Sequence, residues 1–258
     1  IMTSADFLNL YESAAKQIGL PPTRDEIAGF LADNNATEQD IELTARFLQL
    51  CLSKKQEIRE KLFLNVSRLP KRMLMTFDRF NTSALALITK KKIDNLQTLS
   101  FIEARRNVIM IGPTGTGKTH LAMAIGYESC KNGISTHFIK MRELQEKFHK
   151  AITMDTTDRT LKSLNNFTCL IIDEVGYCKF SKEETLLFFQ LVDRFSIKER
   201  GSIIMTSNKD IPDWKDLFSE IDALECALDR LCNNSISIRF SGLSNRKGAS
   251  DLIEVNYN

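Results

Sequence analysis

The stretch Gly112-Pro113-Thr114-Gly115-Thr116-Gly117-Lys118-Thr119 decides the fold of this chain, because it fits the phosphate-loop pattern G-x-x-x-x-G-K-[ST]. The apolar run 107–111 before it predicts a buried strand, and a helical pattern follows it from His120. Glycines let the backbone N–H groups of such a loop converge on an anion, and the helix N-terminus adds a favourable dipole. The alternative is a glycine-rich turn that carries Gly-Lys-Thr by chance. The flanking strand and helix favour a phosphate site, with Lys118 on the β- and γ-phosphates and Thr119 on Mg²⁺.

A second motif places two acids at the end of another predicted strand. The apolar run 168–172 is followed by Asp173 and Glu174, and the carboxyl ends of parallel strands line the ligand crevice of an open sheet. We expect Asp173 to bind Mg²⁺ through its water shell and Glu174 to polarise a water for attack on the γ-phosphate. This order of acids favours hydrolysis over phosphate transfer to a metabolite. The alternative is a solvated acidic turn.

A third apolar run, 202–206, ends in Ser207 and Asn208. An Asn beside the strand with the two acids can hydrogen-bond both the γ-phosphate and the attacking water. Alternatively, Asn208 ends the strand because Asn tolerates turn geometry, and the choice depends on the strand order. His120 is expected to pack or to lie beside the nucleotide, not to bind a metal. The predicted contacts to ATP and Mg²⁺ are Gly112, Pro113, Thr114, Gly115, Thr116, Gly117, Lys118, Thr119, His120 and Asp173.

Composition is that of a globular protein without a membrane anchor. Of the 258 residues, 43% are hydrophobic and 26% are charged. No apolar run reaches the about 20 residues that a membrane span needs, and the N-terminus lacks the pattern of a secretory signal. The six cysteines form no C-x-x-C pair, so we expect reduced thiols in a cytoplasmic protein.

The order of elements predicts two domains. Residues 3–67 look all-helical, with Thr23 and Glu26 as a capping box. We therefore predict a helical N-terminal domain at 1–70 and an α/β domain at 71–258. Strands near 107–111, 135–139, 168–172, 202–206 and 235–240 alternate with helices, which is typical of a doubly wound parallel sheet. The chain after the last strand is expected to be too short for a helical lid domain.

The first hundred residues show an uneven charge. Residues 1–50 carry a net charge of −5, and residues 51–100 carry +7. A basic segment before a nucleotide-binding core is a candidate contact with DNA phosphates, and it includes Lys71 and Arg72. The alternative is a solvated helix face that Glu57 and Glu60 partly neutralise.

Taken together, these motifs give the chain a family resemblance. It resembles the IstB family of insertion-sequence transposition ATPases, within the AAA+ class and close to the DnaC-type helicase loaders. The run Ile171-Ile172-Asp173-Glu174-Val175-Gly176-Tyr177 is more specific than any phosphate loop. The resemblance covers about residues 40–247 and rests on 76–78, 98–103, the phosphate loop, 170–177, 187–192, 206–208, Trp214 and 227–231.

The resemblance implies an AAA+ core without a C-terminal lid and a homo-oligomer that binds ATP between neighbouring subunits. An arginine of one subunit then reaches the γ-phosphate of the next, and Arg230, in Asp-Arg-Leu, is the candidate. The alternative is a helix arginine that pairs with Asp229 or Glu225. The family's usual Gly-Glu-Ser-Tyr-Arg is Ser-Gly-Leu-Ser-Asn-Arg here, which puts a nucleotide-sensing role for Arg246 in doubt.

DNA is expected to bind along the assembled subunits. Basic residues after the second predicted strand suit DNA phosphates, and without a base-reading motif we expect little sequence specificity. The alternative is a solvated helix in which Glu143 and Glu146 pair with the basic residues. The candidate DNA contacts are Lys140, Arg142, Lys147, Lys150, Lys71 and Arg72.

Three functions remain at this point. The first is a DNA-bound ATPase that remodels DNA and recruits or activates a transposase. The second is a helicase loader, with the same ATPase and a replicative helicase as its partner. The third is a small-molecule kinase, against which the acid pair, Asn208, the Asp-Arg-Leu motif and the missing lid all count.

Overall fold

The computed structural model describes residues 3–70, 75–81 and 87–241. Contacts divide the chain into two compact units, Ile1–Leu62 and Phe63–Asn258, and the division falls inside the third helix. Among the described residues, no helix combines the length and apolar character that crossing a membrane requires. The helices are α1 (Ser4–Ile18), α2 (Arg24–Asp33), α3 (Glu38–Val66), α4 (Leu87–Gln97), α5 (Ser100–Glu103), α6 (Lys118–Lys131), α7 (Met141–Thr153), α8 (Thr157–Asn165), α9 (Lys182–Ser196) and α10 (Ile221–Cys232). The strands are β1 (Asn107–Ile111), β2 (Thr136–Lys140), β3 (Cys169–Val175), β4 (Ser202–Ser207) and β5 (Ser235–Arg239).

The first unit is helical, as predicted. Thr23 begins α2 with the predicted capping box, in which its hydroxyl accepts from the N–H of Glu26 and the Glu26 carboxylate accepts from the N–H of Thr23. A second capping box begins α1 at Thr3. Five buried residues of this unit form one small hydrophobic core: Phe7, Tyr11, Ile41, Ala45 and Leu48.

Part of α3 faces away from that core. Large apolar side chains recur along α3 at helical spacing and are more than half exposed, so the first unit buries only one side of this helix. They are Leu43, Phe47, Leu50, Ile58 and Leu62.

The second unit is built on a five-stranded parallel sheet with the strand order β2-β3-β4-β1-β5. This confirms the predicted sheet. Alternate residues of a strand point to opposite faces, so Leu170 and Ile172 join one hydrophobic core while Cys169 and Ile171 join the other. Helices α7 to α10 contribute to the first core, and α4 to α6 contribute to the second.

The strand order brings the candidate residues to one end of the sheet. Because all strands are parallel, their carboxyl ends meet there; we call it the carboxyl end of the sheet and the opposite side the amino end. Strand β4 lies between β1 and β3, so Asn208 follows the strand between the phosphate loop and the two acids. A catalytic role of Asn208 depended on this strand order, and the structure has it.

The two edge strands carry contacts on their outer sides. On β2, the Phe138 N–H donates to the carbonyl of Ser67 at 2.7 Å, just after α3. On β5, the Lys92 ammonium donates to the carbonyl of Ser237 at 2.8 Å, and Arg106 donates to that of Ser235. Backbone polar groups at both edges of the sheet thus form hydrogen bonds within the chain.

Candidate active site

A cleft of about 390 Å³ opens at the carboxyl end of the sheet. Residues of the phosphate loop and of the ends of β2, β3 and β4 line it. The sequence predicted this grouping, because the Asp-Glu pair and Asn208 each follow a strand of the sheet. Gly112, Pro113 and Thr116 belong to the same loop, and the Thr116 hydroxyl donates to the carbonyl of Pro113. The predicted residues that line the cleft are Thr114, Gly115, Gly117, Lys118, Thr119, His120, Asp173, Glu174 and Asn208.

Two loop positions require glycine. Gly112 has φ +151°, and a Cβ there would lie 2.3 Å from the carbonyl oxygen of Phe240, just after β5. Gly117 has φ +103°, and a Cβ would lie 3.0 Å from the ring of Phe80. A larger residue at Gly112 would collide with backbone, and one at Gly117 would strain its own backbone and press on the Phe80 ring, so both glycines help to set the path of the loop before α6 begins.

Lys118 is held over the loop by backbone oxygens. Its ammonium donates to the carbonyls of Gly112 and Pro113 at 2.6 and 2.7 Å. The residue is 8% exposed, and burial lowers the pKa of the amine. A cation with so little water around it gains strongly from an anion in the loop, because its charge is poorly solvated.

Asp173 lies at the floor of the cleft and is fully buried. Its Oδ1 accepts hydrogen bonds from the hydroxyls of Thr119, at 2.9 Å, and Thr206. Its Oδ2 is buried and has no hydrogen-bond partner among the described residues, and burial raises the pKa of the carboxyl. Mg²⁺ prefers such oxygen ligands, so Thr119 and Asp173 fit this ion, which when bound would neutralise phosphate charge.

Glu174 is held in an unusual backbone conformation. Its φ of +61° is left-handed, which costs energy for a residue other than glycine. Its N–H donates to the Thr206 hydroxyl at 3.0 Å, and that hydroxyl also donates to Asp173. Thr206 thus fixes both acids. The sequence assigned it no role, although a threonine inside the apolar run 202–206 was a visible signal.

Lys140 lies in this cleft and not on the basic helix where the sequence placed it. Strand β2 extends one residue further than predicted, because Lys140 pairs in register with Asp173 of β3. Its ammonium contacts the Glu174 carboxylate at 2.9 Å, and this hydrogen bond raises the pKa of the lysine. The candidate DNA contact and the candidate base are therefore an ion pair.

Asn208 and His120 complete the cleft. A Cβ at Gly176, which has φ +133°, would lie 2.6 Å from the Asn208 Oδ1. A glycine there thus lets the amide lie against the loop that follows the acids. His120 Nε2 lies 3.0 Å from the carbonyl of Thr76, and its ring meets Phe80 edge-on at 5.2 Å. His120 therefore both packs and lines the cleft, the two roles that the sequence left open.

Arg230 lies at the amino end of the sheet, near the end of α10. Its Nε contacts Asp193 of α9 at 2.9 Å, and its guanidinium lies 5.0 Å from the centre of the Phe189 ring. The sequence alternative named Asp229 and Glu225 as partners. Asp229 instead accepts from the side chain of Asn233, and Glu225 pairs with Lys215. Arg230 does not line the nucleotide cleft of its own chain.

The other candidate DNA contacts differ in environment. Arg142 pairs with Glu146 at 3.4 Å, as the solvated-helix alternative allowed. Lys147 is half-buried, and burial, together with the charge of Arg68, lowers its pKa. Lys150 is exposed on α7. The candidate DNA contacts Lys71 and Arg72 lie outside the described residues, as does Arg246, whose nucleotide-sensing role the sequence put in doubt.

Sequence relatives point to insertion sequences. The family model described as IstB-like ATP binding protein matches residues 27–252. An insertion sequence IS5376 ATP-binding protein of Geobacillus stearothermophilus is 34% identical over 80% of this chain and 80% of its own length. An IS21 ATP-binding protein of Pseudomonas aeruginosa is 36% identical over 71% and 68%. A replicative helicase loader DnaC of Buchnera aphidicola is 34% identical over 57% and 59%.

Solved structures support the fold. DnaA from Aquifex aeolicus with bound AMPPCP superposes with a TM-score of 0.56 at 17% identity. The match covers 68% of this chain and 52% of that one, so the chain spans about half of DnaA. The DnaC helicase loader gives a TM-score of 0.54 at 17% identity, covering 67% of this chain and 100% of that one. The core of the second unit is therefore an AAA+ fold.

Proposed function

Because this chain belongs to the IstB-like ATP-binding protein family, we propose that it is a cytoplasmic ATPase that assembles on DNA and assists transposition. In this role it remodels target DNA and recruits or activates a transposase. The observation that carries the proposal is the single cleft in which Lys118, Asp173 and Glu174 meet. The insertion-sequence names of its relatives support the link to transposition.

Each residue of the cleft has a distinct part in hydrolysis. Lys118 exchanges its carbonyl partners for phosphate oxygens and neutralises the charge that builds on them. Thr119 and Asp173 would hold Mg²⁺. Glu174 takes a proton from the attacking water, for which its carboxylate must turn from Lys140 to the water. Asn208 donates from its amide to the γ-phosphate.

Assembly supplies the remaining cation. Arg230 is at the amino end of the sheet, and a five-residue strand separates the two ends by about 16 Å. Its position supports action on the nucleotide of a neighbouring copy, with ATP between subunits. A guanidinium suits this role because it stays charged and binds two phosphate oxygens at once.

Mixing two inactive variants tests the proposal. Lys118→Ala lacks a working cleft but keeps Arg230, and Arg230→Ala keeps its cleft but lacks the arginine. Each alone should have little DNA-dependent ATPase activity. Their mixture should regain part of it, because some interfaces join an intact cleft to an intact arginine. Normal assembly and hydrolysis by Arg230→Ala alone would contradict action in trans.

DNA binding has its own test. Lys150→Ala should weaken binding to unrelated duplexes by a similar factor, because a phosphate contact reads no sequence. A shallower dependence of the binding constant on salt should accompany the loss. Glu143→Ala on the same helix is the control, and it should not weaken binding. Equal affinities of the wild type and Lys150→Ala would remove this residue from the DNA contacts.

A helicase loader is the second candidate function, favoured by the similarity to DnaC. Its ATPase site would be the same, so only the partner distinguishes the two. The full chain should retain a transposase encoded beside it in a pull-down with ATP and DNA. Retention of the replicative helicase in place of the transposase would favour the loader.

A further inference from the structure

A second cleft, of about 240 Å³, opens at the amino end of the sheet. Arg230 lines it, and so does Arg105, which immediately precedes the segment that enters β1. Asn107, Ser196 and Asn234 add polar groups. None of the described residues that line this cleft is acidic, so the two charged groups in its lining, Arg105 and Arg230, are both cations.

Arg105 occupies a backbone position that favours glycine. It follows α5 with φ +53°, in the left-handed region where an arginine is strained. Its side chain is exposed, and no described acid pairs with its guanidinium. Arg230, in contrast, is held by Asp193. Arg105 is therefore the cleft's uncompensated positive charge.

Hydrogen bonds from two asparagine side chains fix the segments that carry these arginines. Asn234, four residues after Arg230, donates to the carbonyls of Ala104 and Arg105, both at 3.3 Å. Asn107 donates to the carbonyl of Leu231 at 3.2 Å. The end of α10 and the start of β1 are thus tied together, which keeps both guanidinium groups beside one cleft.

We infer that Arg105 is a second arginine that binds the triphosphate of a neighbouring copy, together with Arg230. This inference rests on the proposed function, because it requires ATP between subunits. Two guanidinium groups can contact different oxygens of one polyphosphate, and each contact is charge-assisted. Asp193 orients Arg230 through its Nε and the carbonyl of Cys226 accepts from its Nη1 at 3.1 Å, which leaves Nη2 and the second hydrogen of Nη1 for phosphate.

Arg105→Gly is the decisive variant. Glycine suits the left-handed backbone, so the variant removes the guanidinium without adding strain, and its thermal midpoint should equal or exceed that of the wild type. DNA-dependent ATPase activity should fall at least about tenfold. ATP affinity measured on dilute single copies should stay within about twofold, because the variant's own cleft is intact. Mixing with Lys118→Ala should restore part of the activity.

Arg200→Ala is the matched control. It removes the same charge just before β4, at the same end of the sheet, where Arg200 already pairs with Glu103. It should keep normal ATPase activity. If Arg105→Gly is as active as this control while Arg230→Ala is inactive, the inference fails and the proposed function stands. If Arg230→Ala is fully active alone, the proposed action in trans fails instead.

Two other results would also overturn the inference. A loss of activity in Arg105→Gly that mixing with Lys118→Ala does not restore would mean that the residue acts within its own chain. A fall in DNA affinity without ATP, at unchanged ATPase activity, would assign the cleft to DNA phosphates. Partial recovery on mixing with unchanged DNA affinity supports a phosphate contact between copies.

Discussion

The two ends of the sheet carry different parts of the proposed ATPase site. The carboxyl end holds a phosphate loop, a buried lysine and two acids in one cleft, and the amino end holds arginines in another. In the proposed function the first cleft binds ATP by itself, whereas the charged groups that line the second cleft, Arg105 and Arg230, are both cations and would need an anion from elsewhere. This difference teaches that groups suited to one reaction can face apart in one chain, and the assembly proposed above would bring them together.

Lys118→Ala removes the main phosphate ligand at the carboxyl end of the sheet and should have the largest effect on ATP turnover. It removes the buried cation that the loop carbonyls hold, so ATP turnover should fall by about 10²–10³ or more. Calorimetric titration with ATP measures the loss of binding. Lys131→Ala, at the exposed end of the same helix, is the control. Unchanged affinity and turnover in Lys118→Ala would refute the assignment of the loop.

Glu174→Gln separates binding from chemistry at the same end. The amide cannot accept the proton of the attacking water, so hydrolysis should fall by about 10²–10⁴, while ATP affinity should change little. Single-turnover hydrolysis and ATP titration measure the two quantities. Glu143→Gln on α7 provides a matched control. Hydrolysis at the wild-type rate would show that another group is the base.

Thr206→Val should have a smaller effect on stability and turnover, because Thr206 contacts both Asp173 and Glu174. Valine keeps the shape but removes the hydroxyl that donates to Asp173 and accepts from Glu174. Loss of these buried hydrogen bonds should lower the free energy of unfolding by about 1–3 kcal/mol. Turnover should also fall, and Thr206→Ser should restore both because it keeps the hydroxyl. Urea unfolding and ATPase assays check this; a valine variant equal to wild type would contradict it.

His137→Phe should leave both ends of the sheet unchanged at neutral pH. Burial lowers the pKa of His137 to about 4, and the charges of Arg68 and Lys147 act in the same direction. The unfolded chain, with an ordinary pKa near 6.5, therefore binds the proton first as the pH falls. The wild type should lose about 3 kcal/mol of stability between pH 6.5 and 4 through this residue.

Phenylalanine does not titrate and can keep the stacking on Phe167, whose ring centre lies 4.6 Å from that of His137. The variant should therefore lose less stability in acid than the wild type. Urea unfolding at a series of pH values measures the difference. Parallel stability curves for the two proteins would show that His137 is not the titrating group, and ATP affinity at pH 7.5 serves as the control.

The nucleotide cleft could be predicted from the sequence because each of its motifs is local. A phosphate loop carries its own strand and helix, and the run before Asp173 and Glu174 is apolar enough to mark β3. Asn208 needed one further condition, that β4 lies between β1 and β3, which the strand order meets. The sheet itself followed from the alternation of apolar runs with helices.

Contacts between different helices and strands could not be predicted from the sequence. The ion pair of Lys140 with Glu174 depends on the register of β2 against β3, which no local pattern encodes. Likewise, Arg230 pairs with Asp193 from another helix, whereas the sequence could offer only its near neighbours. Arg105 belongs to no sequence motif, because a pair of arginines after a short helix has no signature of a binding site. Its significance depends on the cleft that it shares.

The contacts outside β2 and β5 bear on aggregation. An uncovered edge strand presents unpaired N–H and C=O groups to any other strand, and natural proteins protect such edges. Here Ser67 accepts from the outer side of β2, while Lys92 donates to the outer side of β5. A backbone carbonyl and a lysine charge thus oppose the addition of a foreign strand at either side. In the proposed assembly on DNA, neighbouring copies could therefore meet through side-chain surfaces without polymerising through their sheets.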